Sequence, residues 1–414
     1  MSEAPALSRQ SQRFIWAIVA AQMLVQIGAF SLPALLPAYI AAWDLSKTEA
    51  GWLVGIFFAA YVVAVPVLVS LTDRVPTRYV YAAGAGLTAV SHLGFAFLAD
   101  GFWSALILRA LAGMGWAGAY MPGLKAIADT LEGNEQSRAV SMHAAGVGIA
   151  GASSFGIAGL FAAWVSPSAA FLFGGIAALI ALAIAWVVMP KTPPKHAAAD
   201  PRALLDFRPV FRNRPAMAWI AGYTVHTWEM AALRAWGVAF LTAAAVQSTS
   251  PAWLPAPTVL LSIANFAGIA VSVSGNELAQ RYGRMRVVSL AFGAAALFAL
   301  VTGWTLGTSM LLSAALIIVW MATIFIDSAA LTAGTVQAAD PKLRGATMGL
   351  HSMCGYAGGL IGPLGVGLAL DFAGDNSLGW GIAFGHLAVI TLTGLLILRR
   401  LGARSLQPAA VPFA

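Results

Sequence analysis

The chain has 414 residues, of which 60% are hydrophobic and only 9% are charged. Soluble domains carry roughly 25% charged residues, so this composition excludes a water-soluble globular protein and indicates a chain that lies in a membrane. The net charge of +7 does not predict a nucleic-acid partner, because the basic residues stand between apolar runs and do not form one patch. The single cysteine, Cys354, excludes an intramolecular disulfide and a thiolate metal cluster. No cofactor or metal site is expected.

Twelve apolar runs are long enough to cross a bilayer, at roughly 20 residues per helix. The first six are predicted at 14–40, 50–71, 79–99, 102–127, 139–164 and 168–189. The last six are predicted at 216–246, 256–279, 287–306, 309–333, 345–370 and 379–398. The sequence therefore predicts an all-α membrane protein with twelve transmembrane helices.

The segment 190–215 between the two sets of runs is rich in proline and charge and cannot bury in lipid. It predicts a linker between two six-helix bundles, 1–189 and 216–404, with a tail at 405–414. Basic residues fall in alternate loops. If the N-terminus is cytoplasmic, Lys47 is the one basic residue of the sequence in the loops on the opposite side of the membrane. The positive-inside rule predicts that the termini, the linker and the tail are cytoplasmic, in a bacterial inner membrane.

Two loops recur about half a chain length later. The loop 73–78 has a counterpart at 280–286, offset by 207 residues, and the segment 135–139 has one at 342–346. Matching loops at this spacing indicate that the two bundles are duplicated and pseudo-symmetric. Such a duplication predicts a binding site where the bundles meet, near the middle of the membrane.

The loop after the second span and the fourth span carry the motif residues Asp73, Arg74, Arg78, Arg109, Gly113 and Gly115. With twelve spans and the duplication, this pattern resembles the major facilitator superfamily over essentially the whole chain. The loop motif is partly kept, since Val69 and Pro76 replace its glycines and Gln280 replaces the aspartate in the second copy. The fifth span lacks the Gly-Pro of the family's antiporter signature.

The resemblance implies alternating access, in which the loop after the second span acts as a cytoplasmic latch. The gating residues are then Asp73, Arg74, Arg78 and Arg281. The alternative is that these charges only anchor the topology, although Asp73 adds nothing to positive-inside anchoring.

Ionisable residues inside the spans are candidate functional groups, because burying them in a membrane is costly. The clear cases are Arg109, Glu229, Arg234 and Asp327, whereas Lys125 is predicted to pair with Asp129 one turn away. Glu229, His226 and Asp327 are the predicted proton-coupling groups. His226 and Glu229 share one face of the seventh span, and a structural pair between them is the alternative.

Polar residues on the first and eighth spans complete the predicted site. The candidate solute-binding residues are Gln22, Gln26, Arg109, His226, Glu229, Arg234 and Asn265, with Trp116 and Tyr120 as possible lining. The scattered histidines His92, His143, His351 and His386 are predicted to be interhelical structural residues and not ligands.

These features predict a secondary active transporter that moves a small polar or anionic organic solute together with protons. The alternative is a proton-driven exporter of drugs or other amphipathic compounds, and a transporter-like sensor is a weaker one. Enzyme motifs such as a phosphate loop or metal-spaced histidines are absent from the sequence. The expected partners are the solute, protons and membrane lipid, and the chain is expected to be a monomer.

Overall fold

The computed structural model describes residues 9–191 and 206–402. Most of the predicted linker and all of the predicted tail lie outside these ranges. The described residues form α-helices and short 3-10 turns, with no strand among them. Eleven helical segments within them are long and apolar enough to cross a membrane, judged by length and composition.

The helices of the first half are α1 Arg9–Gln26, α2 Ser31–Trp43, α3 Lys47–Leu71, α4 Thr77–Leu98, α5 Phe102–Thr130, α6 Gly133–Trp164 and α7 Pro167–Val188. Those of the second half are α8 Arg208–Arg212, α9 Arg214–Gln247, α10 Pro257–Tyr282, α11 Arg284–Thr302, α12 Met310–Ala338, α13 Arg344–Ala373 and α14 Ser377–Gly402. The predicted spans agree closely with these helices. The fourth predicted span corresponds to α5, which is not among the eleven segments.

The first predicted span, 14–40, is interrupted. Helix α1 ends at Gln26 and α2 begins at Ser31, with a turn at residues 27–30 between them. Pro33 explains the break, because a proline has no backbone N–H for the carbonyl four residues earlier, and its ring clashes with that carbonyl. The carbonyl concerned is that of Ala29, which therefore needs another donor.

Side chains from three other helices bind the interrupted backbone. Arg109 of α5 donates from Nη1 to the Ala29 carbonyl at 3.4 Å, and His92 of α4 has Nε2 3.0 Å from the Gly28 carbonyl. The backbone N–H of Phe30 donates to Ser154 Oγ of α6 at 3.0 Å. The break is therefore hydrogen-bonded to α4, α5 and α6, as a buried irregular segment in a membrane protein requires.

The residues cluster into two compact units. Unit 1 comprises Met1–Leu35 and Ile56–Ala199, and unit 2 comprises Leu36–Gly55 and Asp200–Ala414. Within unit 1, α4 packs on α5 so closely that Gly84 and Gly118 have no room for a Cβ atom. Such small residues allow helices to approach where lipid gives no hydrophobic drive for association.

In unit 2, the start of α3 is bound to the end of α13. The Asp371 carboxylate accepts from the backbone N–H groups of Lys47 and Thr48, both at 2.8 Å. Lys47 Nζ also lies 2.7 Å from Asp375 Oδ2. Gly367 faces the Lys47 carbonyl, and an added Cβ would clash there. Asp371 thus caps α3 from another helix, satisfying N–H groups that the helix itself leaves open.

Replacing Ser154 with alanine should destabilise the break in the first span. The change leaves the buried Phe30 N–H without its acceptor, which costs about 1–3 kcal/mol. Hydrogen exchange at the Phe30 amide should become faster, and the thermal unfolding temperature should fall. The matched control is Ser141→Ala, because Ser141 is exposed on the same helix and, within the described ranges, its hydroxyl bonds to the Ser137 carbonyl of that helix. Equal effects of the two changes would contradict this assignment.

Replacing Asp371 with alanine should cost about 1–2 kcal/mol of unfolding free energy, because it removes a cap from two backbone donors. Lys47→Ala keeps the backbone N–H but removes the partly exposed ion pair with Asp375, and should cost about 0–1 kcal/mol. Tryptophan fluorescence during thermal unfolding measures both. If Lys47→Ala destabilises the protein as much as Asp371→Ala, the backbone cap is not the dominant contact.

Candidate functional site

Gln22 of α1 lies in the interior of unit 1, next to a histidine. Its Oε1 is 3.2 Å from His143 Nε2, and both side chains are fully buried. The ring of Tyr120 lies against His143, with centroids 5.8 Å apart and 24° between the planes. His143 is thus an interhelical histidine, as the sequence predicted, but it contacts a predicted solute-binding residue.

Several buried polar atoms near the end of α1 have no hydrogen-bond partner within the described ranges. They are Gln22 Nε2, Gln26 Nε2, Gln26 Oε1 and Tyr81 Oη. Gln26 is the last residue of α1, directly before the break. An unsatisfied buried amide costs free energy, so these groups are available to a polar ligand or to water.

Arg109 is 2% exposed and is engaged inside unit 1. Besides its bond to the Ala29 carbonyl, its guanidinium lies over the Phe57 ring at 4.9 Å from the centroid. Gly113, one turn further along α5, meets the Phe57 backbone and has no room for a Cβ atom. The arginine and glycine of the fourth-span motif therefore both pack on Phe57, and the arginine also binds the broken first span.

His226 of α9 and Asp327 of α12 form a buried pair in unit 2. The distance from His226 Nδ1 to Asp327 Oδ1 is 2.6 Å, and the two side chains are 1% and 3% exposed. The sequence predicted both as proton-coupling groups but did not predict that they meet. A proton can lie on either partner, giving a neutral pair or an ion pair. His226 Nε2 is buried and has no hydrogen-bond partner among the described residues.

Glu229 is bound by two donors from other helices. Trp320 Nε1 of α12 donates to Oε1 at 2.7 Å, and Thr391 Oγ1 of α14 donates to Oε2 at 2.8 Å. This arrangement satisfies an ionised carboxylate. It also accepts a protonated one, because the threonine hydroxyl can turn and become the acceptor, whereas the indole N–H can only donate.

Arg234 and Asn265, both predicted as solute-binding residues, are hydrogen-bonded to each other. Arg234 Nε donates to Asn265 Oδ1 at 2.7 Å, and the guanidinium lies over the Phe325 ring at 5.3 Å. Asn265 Nδ2 donates in turn to the Leu261 carbonyl at 2.8 Å. The two residues therefore form a fixed polar patch between α9 and α10.

The predicted gating residue Asp73 belongs to an ion cluster within unit 1. Lys125 Nζ of α5 lies 3.6 Å from Asp73 Oδ1 and 3.1 Å from Asp129 Oδ2. The predicted local pair of Lys125 with Asp129 is confirmed, and Asp73 joins it from the turn after α3. The three side chains are a quarter to two-fifths exposed, so solvent screens their attraction.

The other three predicted gating residues differ in their surroundings. Arg78 is buried, and its guanidinium lies 4.0 Å from the ring centroid of Trp186. Arg74 is exposed, as is Arg281 in the last turn of α10, where a positive charge is favourable. In the repeated loop, Arg284 donates to Gln337 of α12.

Reasoning from the sequence missed four contacts. They are those of Trp320 and Thr391 with Glu229, of Ser154 with the Phe30 N–H, and of His143 with Gln22. Only Trp320 carried a usable signal. It precedes Asp327 by seven residues on α12, which is two helical turns and places both side chains on one face. An uncharged serine or threonine in a span carries no such mark.

Comparison with known proteins identifies the family. The profile of the Major Facilitator Superfamily matches residues 18–363. Protein spinster homolog 1 of Homo sapiens is 25% identical over 273 residues, which is 61% of this chain and 50% of that protein. Protein spinster of Drosophila melanogaster is 26% identical over 208 residues, covering 48% of this chain and 34% of its own length. The chain spans about half the length or less of these curated relatives.

Solved structures of transporters share the fold. A mutant of the nucleoside transporter NupG superposes with a TM-score of 0.77 at 14% identity, covering 94% of this chain and 99% of that one. A bacterial homologue of the human lysosomal transporter Spinster, inward-facing and unoccupied, gives 0.70 at 15% identity and covers 96% of each chain. The profile match extends over most of the sequence. The chain belongs to the Major Facilitator Superfamily and is a multi-pass membrane protein.

Proposed function

We propose that this transporter moves a small polar or anionic organic solute by alternating access and couples that movement to protons, as a symporter. The observation that carries the proposal is the set of buried titratable groups in unit 2. His226, Glu229 and Asp327 are each 4% exposed or less. A packing helix would be more stable with apolar residues at these positions, so their presence indicates a function.

Two features support a polar solute. Gln22 and Gln26 place amide atoms without partners in the interior of unit 1, where a ligand with hydrogen-bonding groups would satisfy them. Arg234 and Asn265 add a positive polar patch in unit 2. The similarity in fold to NupG, a nucleoside transporter, is compatible with a polar solute.

The proposed proton cycle uses the neighbours of each group. Asp327 can take a proton when His226 releases one, and Glu229 can take one when the Thr391 hydroxyl turns. A group whose proton affinity differs between two conformations couples proton movement to the conformational cycle, because linked binding is reciprocal. Asp73, held by Lys125, is the proposed cytoplasmic latch, and its role is to favour one conformation.

Asp327→Asn should abolish solute accumulation driven by a pH gradient and retain solute exchange without a gradient. The asparagine keeps the volume but cannot carry the proton. The assay uses proteoliposomes and the solutes that stabilise the purified protein in a screen of uridine, gluconate, alanine and benzoate. A solute at 100 times its dissociation constant raises the unfolding free energy by about 2.7 kcal/mol. Glu229→Gln should behave in the same way.

The matched control is Glu277→Gln, which neutralises an exposed carboxylate on α10 and should leave accumulation intact. Accumulation that survives in both Asp327→Asn and Glu229→Gln would contradict proton coupling through unit 2. A gradient that drives the solute into the compartment of higher proton activity would instead support the exporter alternative, because an antiporter moves solute against the flow of protons.

A further inference from the structure

His351 of α13 is a buried histidine in unit 2 to which the proposed proton cycle assigns no role. It is 4% exposed, and its ring stacks on that of Tyr223 with centroids 3.9 Å apart and 19° between the planes. Its Nδ1 lies 3.1 Å from Thr335 Oγ1, and its Nε2 lies 3.4 Å from Thr332 Oγ1. Both ring nitrogens therefore face hydroxyl groups of α12.

The hydrogen bonds that the Thr332 and Thr335 hydroxyls donate determine which protonation states of the His351 ring the surroundings can satisfy. Thr335 Oγ1 donates to the Leu331 carbonyl at 3.1 Å, so it accepts from a protonated His351 Nδ1. Thr332 Oγ1 has two acceptors for its single proton, the Ser328 carbonyl at 3.3 Å and His351 Nε2. Which of these two acceptors the Thr332 hydroxyl donates to therefore depends on whether His351 Nε2 is protonated.

Rotation of the Thr332 hydroxyl serves both states of the ring. When Nε2 carries a lone pair, the hydroxyl donates to it and the imidazole is neutral. When a proton binds Nε2, the hydroxyl turns to the Ser328 carbonyl and its oxygen accepts the new N–H. Each nitrogen of an imidazolium then has an acceptor whose own proton is already used, which is the arrangement a buried cation needs.

The surroundings of His351 place it beside the His226–Asp327 pair. Tyr223 of α9 also stacks near His226, with ring centroids 5.8 Å apart. The groups that can titrate or carry charge and face His351 are Tyr223 and His226 from α9, with Asp327 of α12 behind His226. Cys354 on its own helix packs instead against the cluster around Val210.

The contacts with Thr332 and Thr335 locate His351 along α12 relative to Asp327. Thr332 and Thr335 follow Asp327 on this helix, which ends at Ala338. At 3.6 residues per turn they lie roughly one and a half to two turns nearer that end. His351 therefore lies between the buried pair and the end of α12 that is followed by the basic residues Lys342 and Arg344.

We propose that His351 is a further proton-binding site of unit 2, with the Thr332 hydroxyl as its switch. The proton binds the Nε2 lone pair, and the ring gains one positive charge. At the same time the Thr332 hydroxyl rotates, so that its hydrogen bond to Nε2 is replaced by one to the Ser328 carbonyl. The proposal that His351 relays protons to or from the His226–Asp327 pair depends on the proposed proton coupling. The proposal that His351 binds a proton does not depend on it.

Nitrogen NMR of the full chain tests the proposal without a transported solute. The protein is labelled with ¹⁵N-histidine and placed in lipid nanodiscs, and the His351 signals are assigned by their loss in His351→Gln. Between about pH 4 and pH 8 both ring nitrogens should change from the neutral to the imidazolium pattern. Thr332→Val should lower the midpoint by about one pH unit, because it removes the acceptor for the charged form.

Two further variants separate the switch from general damage to the fold. Thr332→Ser keeps the hydroxyl and should restore the midpoint. Thr393→Val removes an exposed hydroxyl on α14 that, among the described residues, bonds to the Val389 carbonyl, and should leave the midpoint unchanged. A His351 ring that stays neutral down to about pH 4 overturns the proposal. So does a Thr332→Val midpoint equal to that of Thr393→Val.

Failure of this site and failure of the proposed function give different results. If His351 titrates as stated while Asp327→Asn and Glu229→Gln both still accumulate solute, the proton-binding site stands and the coupling is wrong. If His351 stays neutral while Asp327→Asn loses accumulation, the coupling stands and His351 is a structural histidine.

Discussion

The backbone polar groups that this chain buries in the membrane must find their partners within the protein, and the interrupted first span shows what that requires. Pro33 leaves the Ala29 carbonyl without a helical donor, and the turn at 27–30 exposes further backbone groups. Lipid cannot satisfy them. Arg109, His92 and Ser154 do so from three different helices. One proline in the sequence thereby explains why three polar side chains converge on the backbone of residues 28–30 in unit 1.

The same constraint gives a different outcome in unit 2. There the buried groups are themselves titratable, and each has a neighbour that tolerates two protonation states. Asp327 has a histidine, Glu229 has a threonine hydroxyl that can turn, and His351 has another. Unit 1 uses its polar side chains mainly to hold backbone, whereas those of unit 2 are arranged around ionisable side chains. This difference supports the assignment of proton binding to unit 2.

Much of the fold could be predicted from the sequence because its signal is local. Apolar runs and loop charges record the position of each helix along the chain, so the predicted spans agree with the helices to within a few residues. The pair of Lys125 with Asp129 was predictable for the same reason, as its members are one helical turn apart. The break in the first span could also have been read from Pro33.

The partners of the buried groups could not be predicted, because they come from helices far apart in the sequence. Arg109 was expected to bind solute, yet the atom that it contacts is a backbone carbonyl eighty residues away. Glu229 and His226 share a helix face, yet each bonds to a different residue of α12. His351 was indistinguishable from the other scattered histidines until the two threonine hydroxyls were located. Pairing between helices is fixed by packing, which one sequence does not record.

The central claim is that carboxyl groups buried in unit 2 gain and lose protons in the folded protein, and infrared difference spectroscopy tests it most directly. Spectra of the protein in lipid bilayers are compared between about pH 5 and pH 8, without any solute. The account predicts a protonated-carboxyl band that grows on acidification and is diminished in both Asp327→Asn and Glu229→Gln. A pH-dependent carboxyl band that is unchanged in both variants would contradict it.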